Sequence, residues 1–219
     1  DIRRQPYKLS VLWNNIANTI QFYRQKFVLL DPGFGEVLPD EQKYIYYPLH
    51  TSPEYSTNFQ GTMWMNQLYN IEILSKSIPA DWVVYVKEHP ATLPGRTRPK
   101  NFFKEIMRYP NVRMAPVGLN SHRLVSRAEM VAVLTGTTGW EAVQRGVPVI
   151  SFTTNNYDVL GLSRVCSNIE RLAVEIREEK VRLQNISPEE RKKRLVNYLA
   201  AMLEHSFEIS YPDQFYYEN

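Results

Sequence analysis

Short runs of consecutive apolar residues alternate with helix-type patterns between residues 43 and 152. The clearest runs are MVAVL at 130–134 and VPVISF at 147–152, and neither shows the polar alternation of a strand with one wet face. Strands of this kind are buried on both sides, which is typical of a parallel sheet between two helical layers. With right-handed crossovers, this pattern predicts an α/β fold: a Rossmann-like parallel sheet with helices on both faces, plus flanking helices.

The other elements follow from the same periodicities. Further strands are expected at 43–49, 81–90 and 111–116, and helices at 7–27, 61–78, 101–109, 120–128, 167–184 and 187–205. We therefore divide the chain into an N-terminal helix and connector (1–42), a Rossmann-like domain (43–160), and C-terminal helices with a Tyr-rich tail that pack on it (161–219). The apolar stripes of the first two helices predict that Trp13, Trp64 and Met65 belong to the core.

Composition narrows the classes of function. The net charge of +3 suits an anionic ligand or an anionic membrane surface without establishing either. The single cysteine, Cys166, rules out an internal disulfide and fits a reducing, cytoplasmic compartment. The histidines and the cysteine lack metal-ligand spacing, and basic residues do not cluster with aromatic ones, so we expect neither a metal nor a nucleic-acid partner. The start of the chain lacks Met and a signal-peptide pattern, and is interpreted as that of a fragment or processed protein.

A glycine- and threonine-rich loop follows the apolar run at 130–134. It consists of Thr135, Gly136, Thr137, Thr138 and Gly139, and a helix begins within it. Ligands of parallel sheets bind beyond the carboxyl ends of the strands, and a helix start offers free N–H groups and positive charge to a phosphate. The loop is not a Walker A motif, because no Gly-Lys-Ser/Thr follows. A plain strand-to-helix turn capped by Thr remains the alternative.

The strand at 81–90 ends in four residues that could form a second site: Lys87, Glu88, His89 and Pro90. The imidazole of His89 can donate a proton or a hydrogen bond to a phosphate oxygen. We expect this strand end and the 135–139 loop to lie near each other at one edge of the sheet. The alternative is a solvated strand end that carries a histidine by chance.

Four other residues are weaker or ambiguous candidates. Glu141, on the first turn of its helix, could complement the helix dipole or accept hydrogen bonds from ribose hydroxyls. His50 and Glu54 follow the first strand and are candidates for the wall of the cleft. Arg96, with Arg98 beside it, could meet a diphosphate or an acidic sugar, although a solvated loop is the default interpretation.

Four segments carry a resemblance to a known family: YYPLHTSPE, NQLYNIEILSKSIPADWVVYVKEHP, YPNVRMAP and LTGTTGWEAVQRGVPVISF. In order and spacing they resemble the capsule polysaccharide biosynthesis family, which includes bacterial Kdo transferases. The resemblance covers about residues 43–160 and implies the GT-B plan of two Rossmann-like domains. This chain is similar to the C-terminal domain of that plan, so 43–160 would be the nucleotide-sugar-binding domain of a glycosyltransferase, with CMP-Kdo as one candidate donor.

The resemblance also implies roles for individual residues. His89 would meet the donor phosphate and protonate the departing nucleotide, Thr137 and Thr138 would hold that phosphate, and Glu141 would contact the ribose. Lys87 and Pro90 would border the base. No metal cofactor is expected, because protein donors at a helix start replace the cation on the leaving phosphate.

The implied partners are a nucleotide sugar, a glycan or glycolipid acceptor, and peripheral contact with the inner membrane or with polysaccharide-assembly proteins. The chain departs from the family at Phe152-Thr153, where Phe-Gly is frequent, and the acceptor domain with its catalytic carboxylate would lie before Asp1. Two alternatives stay open. One is a non-catalytic nucleotide- or glycan-binding module of a larger assembly protein, and the other is an epimerase-like GT-B protein that acts on UDP-sugars.

Overall fold

A six-stranded parallel sheet forms the centre of the molecule. The computed structural model describes residues 6–31, 34–51, 56–89, 98–99, 101–166 and 168–206. The strands are β1 (Lys43–Pro48), β2 (Trp82–Lys87), β3 (Val112–Met114), β4 (Met130–Val133), β5 (Val149–Ser151) and β6 (Arg164–Val165). The predicted α/β fold is confirmed. The two-residue strand β6 was not predicted, and it lies beyond residue 160, where we ended the Rossmann-like domain.

Seven helices surround the sheet in the described part of the chain. They are α1 (Pro6–Leu30), α2 (Gln67–Ser77), α3 (Phe102–Ile106), α4 (Ser121–Arg127), α5 (Thr137–Arg145), α6 (Leu172–Gln184) and α7 (Pro188–Glu204). Single helical turns occur at Ser56–Gln60, Thr62–Trp64, Asn156–Leu160 and Ile169–Arg171. The helix predicted at 61–78 begins later, because the Asn66 side chain caps α2 by accepting from the N–H of Tyr69 at 3.3 Å.

The side chains of the strands alternate between two buried clusters. Ile45 and Tyr47 of β1 belong to the cluster covered by α2, α3 and α6. Tyr44 and Tyr46 belong to the cluster covered mainly by α4 and α5, to which Tyr198 of α7 also packs. This alternation, with both faces apolar, is the reason why the strands read as continuous hydrophobic runs in the sequence.

The strand order is β3-β2-β1-β4-β5-β6. The chain adds β2 and β3 on one side of β1 and then adds β4, β5 and β6 on the other side, so the order reverses between β1 and β4. These two strands are neighbours, with Ile45 opposite Met130 and Tyr46 opposite Val131. In sheets with this order, ligands bind in the crevice beyond the carboxyl ends of the two strands at the reversal. The fold therefore predicts a ligand site beside the residues that follow Pro48 and Val133.

The apolar stripe of α1 faces solvent. The helix attaches through Leu29, which packs on the cluster of α2, α3 and α6, and through two glutamines. Gln21 Nε2 donates to the carbonyl of Arg98 at 2.7 Å, and the Arg98 N–H donates to Gln25 Oε1 at 2.7 Å. The exposed apolar residues are Val11, Leu12, Trp13, Ile16, Ile20, Tyr23, Phe27 and Val28. None of the described helices has both the length and the apolar character needed to cross a bilayer.

Two of the three predicted core residues on the first two helical segments are exposed. Trp13 is 67% exposed and Met65 is 44% exposed, so their assignment to the core was wrong. Trp64 is half-buried and packs on Phe152, with ring centroids 5.0 Å apart. The spacing of apolar residues predicted the apolar stripe of the first helix, but it gave no information on whether another element packs against that stripe.

Candidate functional site

The turn between β4 and α5 leaves the start of α5 without a side-chain cap. Gly136 occupies the N-cap position with φ 97° and ψ 179°, a backbone conformation that is essentially limited to glycine. Because glycine has no side chain, no hydrogen bond from one caps the first turn. The first N–H groups of α5 and the positive end of its dipole therefore face the space in front of Thr137 and are available to a ligand there.

His50 lies against this turn from the neighbouring strand end. Its backbone is fixed by Gln67: the His50 N–H donates to Oε1 at 2.7 Å, and Nε2 of Gln67 donates to the His50 carbonyl at 2.9 Å. The ring Nε2 of His50 lies 2.6 Å from the carbonyl oxygen of Thr135. The backbone N–H of Thr135 lies 3.3 Å from the same nitrogen, so Nε2 donates to the carbonyl in one tautomer and accepts from the N–H in the other. The structure thus brings His50, one of the weaker candidates, directly to the predicted loop.

A cavity of about 590 Å³ opens in front of the turn. Its volume falls in the usual range of small-molecule sites. The lining comes from the turn and α5, the segment after β5, one residue before α2, and α7; the residues are Gln60, Thr135, Gly136, Thr137, Trp140, Asn155, Asn156, Tyr157, Tyr198, Leu199 and Met202.

Two hydroxyl groups on the cavity lining are buried without a hydrogen-bond partner in the described part of the chain. They are Oγ1 of Thr135 and the OH of Tyr157, and each residue is only 3% exposed. Burial, followed by the charge of Asp158, raises the pKa of Tyr157, so this hydroxyl is protonated and able to donate. Because a buried hydroxyl without a partner costs about 1–3 kcal/mol, such groups call for a ligand or a bound water.

The close approach of Tyr157 explains Gly139. A Cβ atom on Gly139 would lie 2.1 Å from the Tyr157 hydroxyl oxygen, far inside contact distance. The second glycine of the loop therefore makes room for a tyrosine of the cavity lining, while the first sets the backbone of the turn.

Glu88 belongs to a buried ion pair. It is 1% exposed, and its two oxygens accept from the Arg98 guanidinium at 2.8 and 2.6 Å. One of them also accepts the His89 N–H at 2.7 Å. These bonds occupy the carboxylate, so the geometry favours a structural role over the predicted binding role. Arg98 is buried as well, which corrects the default interpretation of a solvated arginine.

Lys87 and His89, two further residues of the second predicted site, are not on the cavity lining. Lys87 is buried on the α4–α5 side of the sheet, two residues after Tyr85, and burial lowers its pKa against the opposing effect of Glu88. His89 is exposed. Because β1 separates β2 from β4, the histidine in contact with the loop is His50, and the predicted meeting of His89 with Thr137 stays a prediction.

Thr138 and Glu141 lie on α5 outside the cavity lining. Thr138 is half-buried. The Oε2 atom of Glu141 lies 2.9 Å from Nδ1 of His122 on α4 and 3.9 Å from Nη1 of Arg145. A role of Glu141 toward a ribose stays a prediction, while Pro90, Glu54 and Arg96 lie outside the described residues.

Comparison with known proteins assigns the chain to a family. Residues 34–194, most of the chain, match the family model described as capsule polysaccharide biosynthesis protein. The chain belongs to this capsule polysaccharide biosynthesis family. Comparison with curated protein sequences gives no match.

Solved structures share the fold of this capsule-family chain at low sequence identity. UDP-GlcNAc 2-epimerase from Methanocaldococcus jannaschii is 20% identical with a TM-score of 0.50, over 75% of this chain and 47% of that one. Anabaena Alr3699/HepE, in complex with UDP-glucose, is 15% identical with a TM-score of 0.50, over 84% and 51%. Thermosulfurimonas dismutans KpsC, a beta Kdo 2,7 transferase, is 19% identical with a TM-score of 0.47, over 73% and 54%. The chain therefore spans about half the length of these proteins, and the likeness concerns the fold.

Proposed function

We propose that this chain is the donor-binding domain of a glycosyltransferase that builds capsule or surface polysaccharide from a nucleotide-activated sugar. The observation that carries the proposal is the uncapped start of α5, which opens at the strand reversal onto a cavity with two buried, unpartnered hydroxyls. Membership in the capsule family supplies the class of reaction. A nucleotide sugar as ligand is also in keeping with HepE, which shares the fold and was solved with UDP-glucose.

The donor phosphate would lie in front of Thr137. The first N–H groups of α5 and the positive end of its dipole favour a dianion there, and the exposed hydroxyl of Thr137 adds a donor. Negative charge grows on this phosphate as the bond between sugar and nucleotide breaks, so donors fixed in place stabilise the transition state more than the ground state. His50 contributes by holding the carbonyl of Thr135, and therefore the turn, in position.

His89 remains our proposed proton donor to the departing nucleotide, and CMP-Kdo remains one candidate donor. His89 is exposed beyond the end of β2, and active-site contacts often tighten only in the complex with a ligand. The candidates for the nucleotide are tested directly by titrating CMP and UDP into the protein.

Isothermal calorimetry with variants of Thr137 tests the site. The exposed position of Thr137 makes misfolding a minor concern. We expect Thr137→Ala to weaken nucleotide binding at least tenfold and Thr137→Ser, which keeps the hydroxyl, to stay within about twofold of the wild type. Unchanged affinity of Thr137→Ala would show that the Thr137 hydroxyl does not bind the phosphate, because the backbone N–H groups of α5 are the same in both variants. His89→Ala should lower turnover in the full-length enzyme more than it lowers nucleotide affinity.

Product analysis separates transfer from the two alternatives. NMR of the full-length protein with a nucleotide sugar and a glycan acceptor should show a new glycosidic linkage. A change of configuration in the UDP-sugar would indicate an epimerase, and binding without any conversion would indicate a non-catalytic module. The likeness to the epimerase from Methanocaldococcus jannaschii concerns the fold alone and does not decide between them.

A further inference from the structure

The cavity in front of α5 has an apolar wall that the proposed phosphate does not need. The wall comes from α7, whose Leu199 and Met202 line the cavity while 43% and 48% exposed. Tyr198 stands beside them and packs on Trp140, with ring centroids 5.6 Å apart, and Trp140 packs in turn near Tyr157 at 6.2 Å. Partly exposed apolar side chains on a cavity wall gain free energy when a ligand covers them.

The structure holds this wall firmly in place. The Ser187 side chain caps α7 by accepting the Glu190 N–H at 3.2 Å. Arg194 Nη1 donates to the carbonyl of Leu160 at 3.2 Å, and Arg191 Nη1 donates to the carbonyl of Gly146 at 3.4 Å. These bonds tie α7 to the segment after β5 and to the end of α5, so Tyr198, Leu199 and Met202 are presented on a fixed helix.

The wall lies outside the segment that defines the family. The family match ends at residue 194, whereas all three wall residues come later in the chain. The 135–139 loop lies inside the match. The cavity therefore combines an anion-binding end from the family segment with a wall that the C-terminal part of α7 adds.

The polar and apolar groups of the lining require different chemistry from the same ligand. The start of α5 and the buried hydroxyls of Thr135 and Tyr157 can donate to oxygen atoms. Leu199 and Met202 present apolar surface. Inorganic phosphate would satisfy only the polar groups and would leave most of a cavity of about 590 Å³ unfilled.

We propose that Tyr198, Leu199 and Met202 bind the organic group of a phosphate ester and give the cavity its selectivity for such esters over inorganic phosphate. The inference rests on the proposed function and deepens it by assigning the selectivity to α7. The organic group is a nucleoside or a sugar, since both offer a ring that can cover an apolar wall and oxygen atoms for the Tyr157 hydroxyl.

Calorimetry with three probes tests the inference: inorganic phosphate, CMP and glucose 1-phosphate. The Leu199→Ser/Met202→Ser double variant should weaken binding of the preferred ester about tenfold, as expected for the loss of apolar contact from two side chains, and inorganic phosphate less than twofold. Leu203→Ser is the matched control: Leu203 is on the same helix and 75% exposed, and it does not line the cavity, so no affinity should change.

The outcomes distinguish the inference from the function beneath it. Equal loss for ester and inorganic phosphate, or no loss, overturns the inference, and the proposed function survives if Thr137→Ala still weakens nucleotide binding at least tenfold. If the wild type binds neither the three probes nor UDP at millimolar concentration, both fall. Selective loss for CMP assigns a nucleoside to the wall, and selective loss for glucose 1-phosphate assigns a sugar. Tyr157→Phe gives a second measurement: ester affinity should fall several-fold at an unchanged or higher melting temperature.

Discussion

The Nε2 atom of His50 lies 2.6 Å from the carbonyl oxygen of Thr135 and joins the ends of β1 and β4 where the strand order reverses. We expect His50→Ala to release the turn before α5, to cost about 1 kcal/mol of stability, and to weaken nucleotide binding. His89→Ala, at an exposed position, should leave stability nearly unchanged. Urea denaturation followed by calorimetry measures both effects. Full nucleotide affinity in His50→Ala would show that the turn does not depend on this contact.

A second prediction concerns the steric pairing of Gly139 with Tyr157. Gly139→Ala should destabilise the protein by about 1–3 kcal/mol, because the new Cβ would lie 2.1 Å from the tyrosine hydroxyl. Tyr157→Phe removes that oxygen and should recover part of the loss in the double variant, because the ring Cζ at 2.9 Å and Val133 Cγ2 at 3.0 Å still crowd the new Cβ. The four proteins form a double-mutant cycle by thermal or urea unfolding. Additive effects of the two changes would place the strain of Gly139→Ala elsewhere.

The buried pair of Glu88 and Arg98 predicts a large loss of stability on removal of one partner. Glu88→Ala leaves the Arg98 guanidinium buried without its carboxylate, which typically costs about 3–5 kcal/mol. Glu105→Ala removes an exposed partner of Arg108 and serves as the control, with a far smaller expected change. Equal midpoints of denaturation for the two variants would contradict the structural role of Glu88.

Lys87 predicts a dependence of stability on pH. Burial lowers its pKa in the folded state, so the unfolded chain holds this proton to higher pH than the folded one. The resulting penalty is complete below the lowered pKa and disappears as the pH rises toward the ordinary value of about 10.4. Lys87→Met should therefore stabilise the fold at pH 7, with a gain over the wild type that shrinks near pH 10. A gain that does not change with pH would assign the effect to packing.

Metal removal provides a further prediction. If the N–H groups of α5 take the place of a cation on the phosphate, treatment with EDTA should leave nucleotide affinity unchanged, and added Mg²⁺ should not raise it. The measurement is calorimetry on dialysed protein with and without the ion. An affinity that depends on Mg²⁺ would mean that the helix start does not neutralise the phosphate on its own.

The sheet and the 135–139 loop could be predicted from the sequence because both depend on local patterns. Continuous apolar runs mark buried parallel strands, and the Gly136 turn is readable from glycine and threonine beside a helix start. The partner of that loop was harder to predict. Which strand end lies beside 135–139 depends on strand order, and the order places β1 next to β4, so His50 meets Thr135 while His89 is one strand further away.

Contacts between distant segments account for the other differences. The sequence carries no local signal that connects Tyr157 to Gly139 or to the residues of α7 about 40 positions later. The Glu88–Arg98 pair likewise joins a predicted binding residue at a strand end to an arginine that we interpreted as part of a solvated loop. Sequence periodicity describes one element at a time, whereas these contacts exist only after the elements have packed.

The outward row of apolar side chains on α1 has a practical consequence. Exposure of these side chains to water is unfavourable, and a second apolar surface that covers them lowers the free energy. In a concentrated solution of this chain the nearest such object is another molecule of the same kind. Aggregation of the purified protein should thus begin at α1. Charged residues in place of Leu12, Ile16 and Ile20 should prevent this aggregation without a change in the sheet.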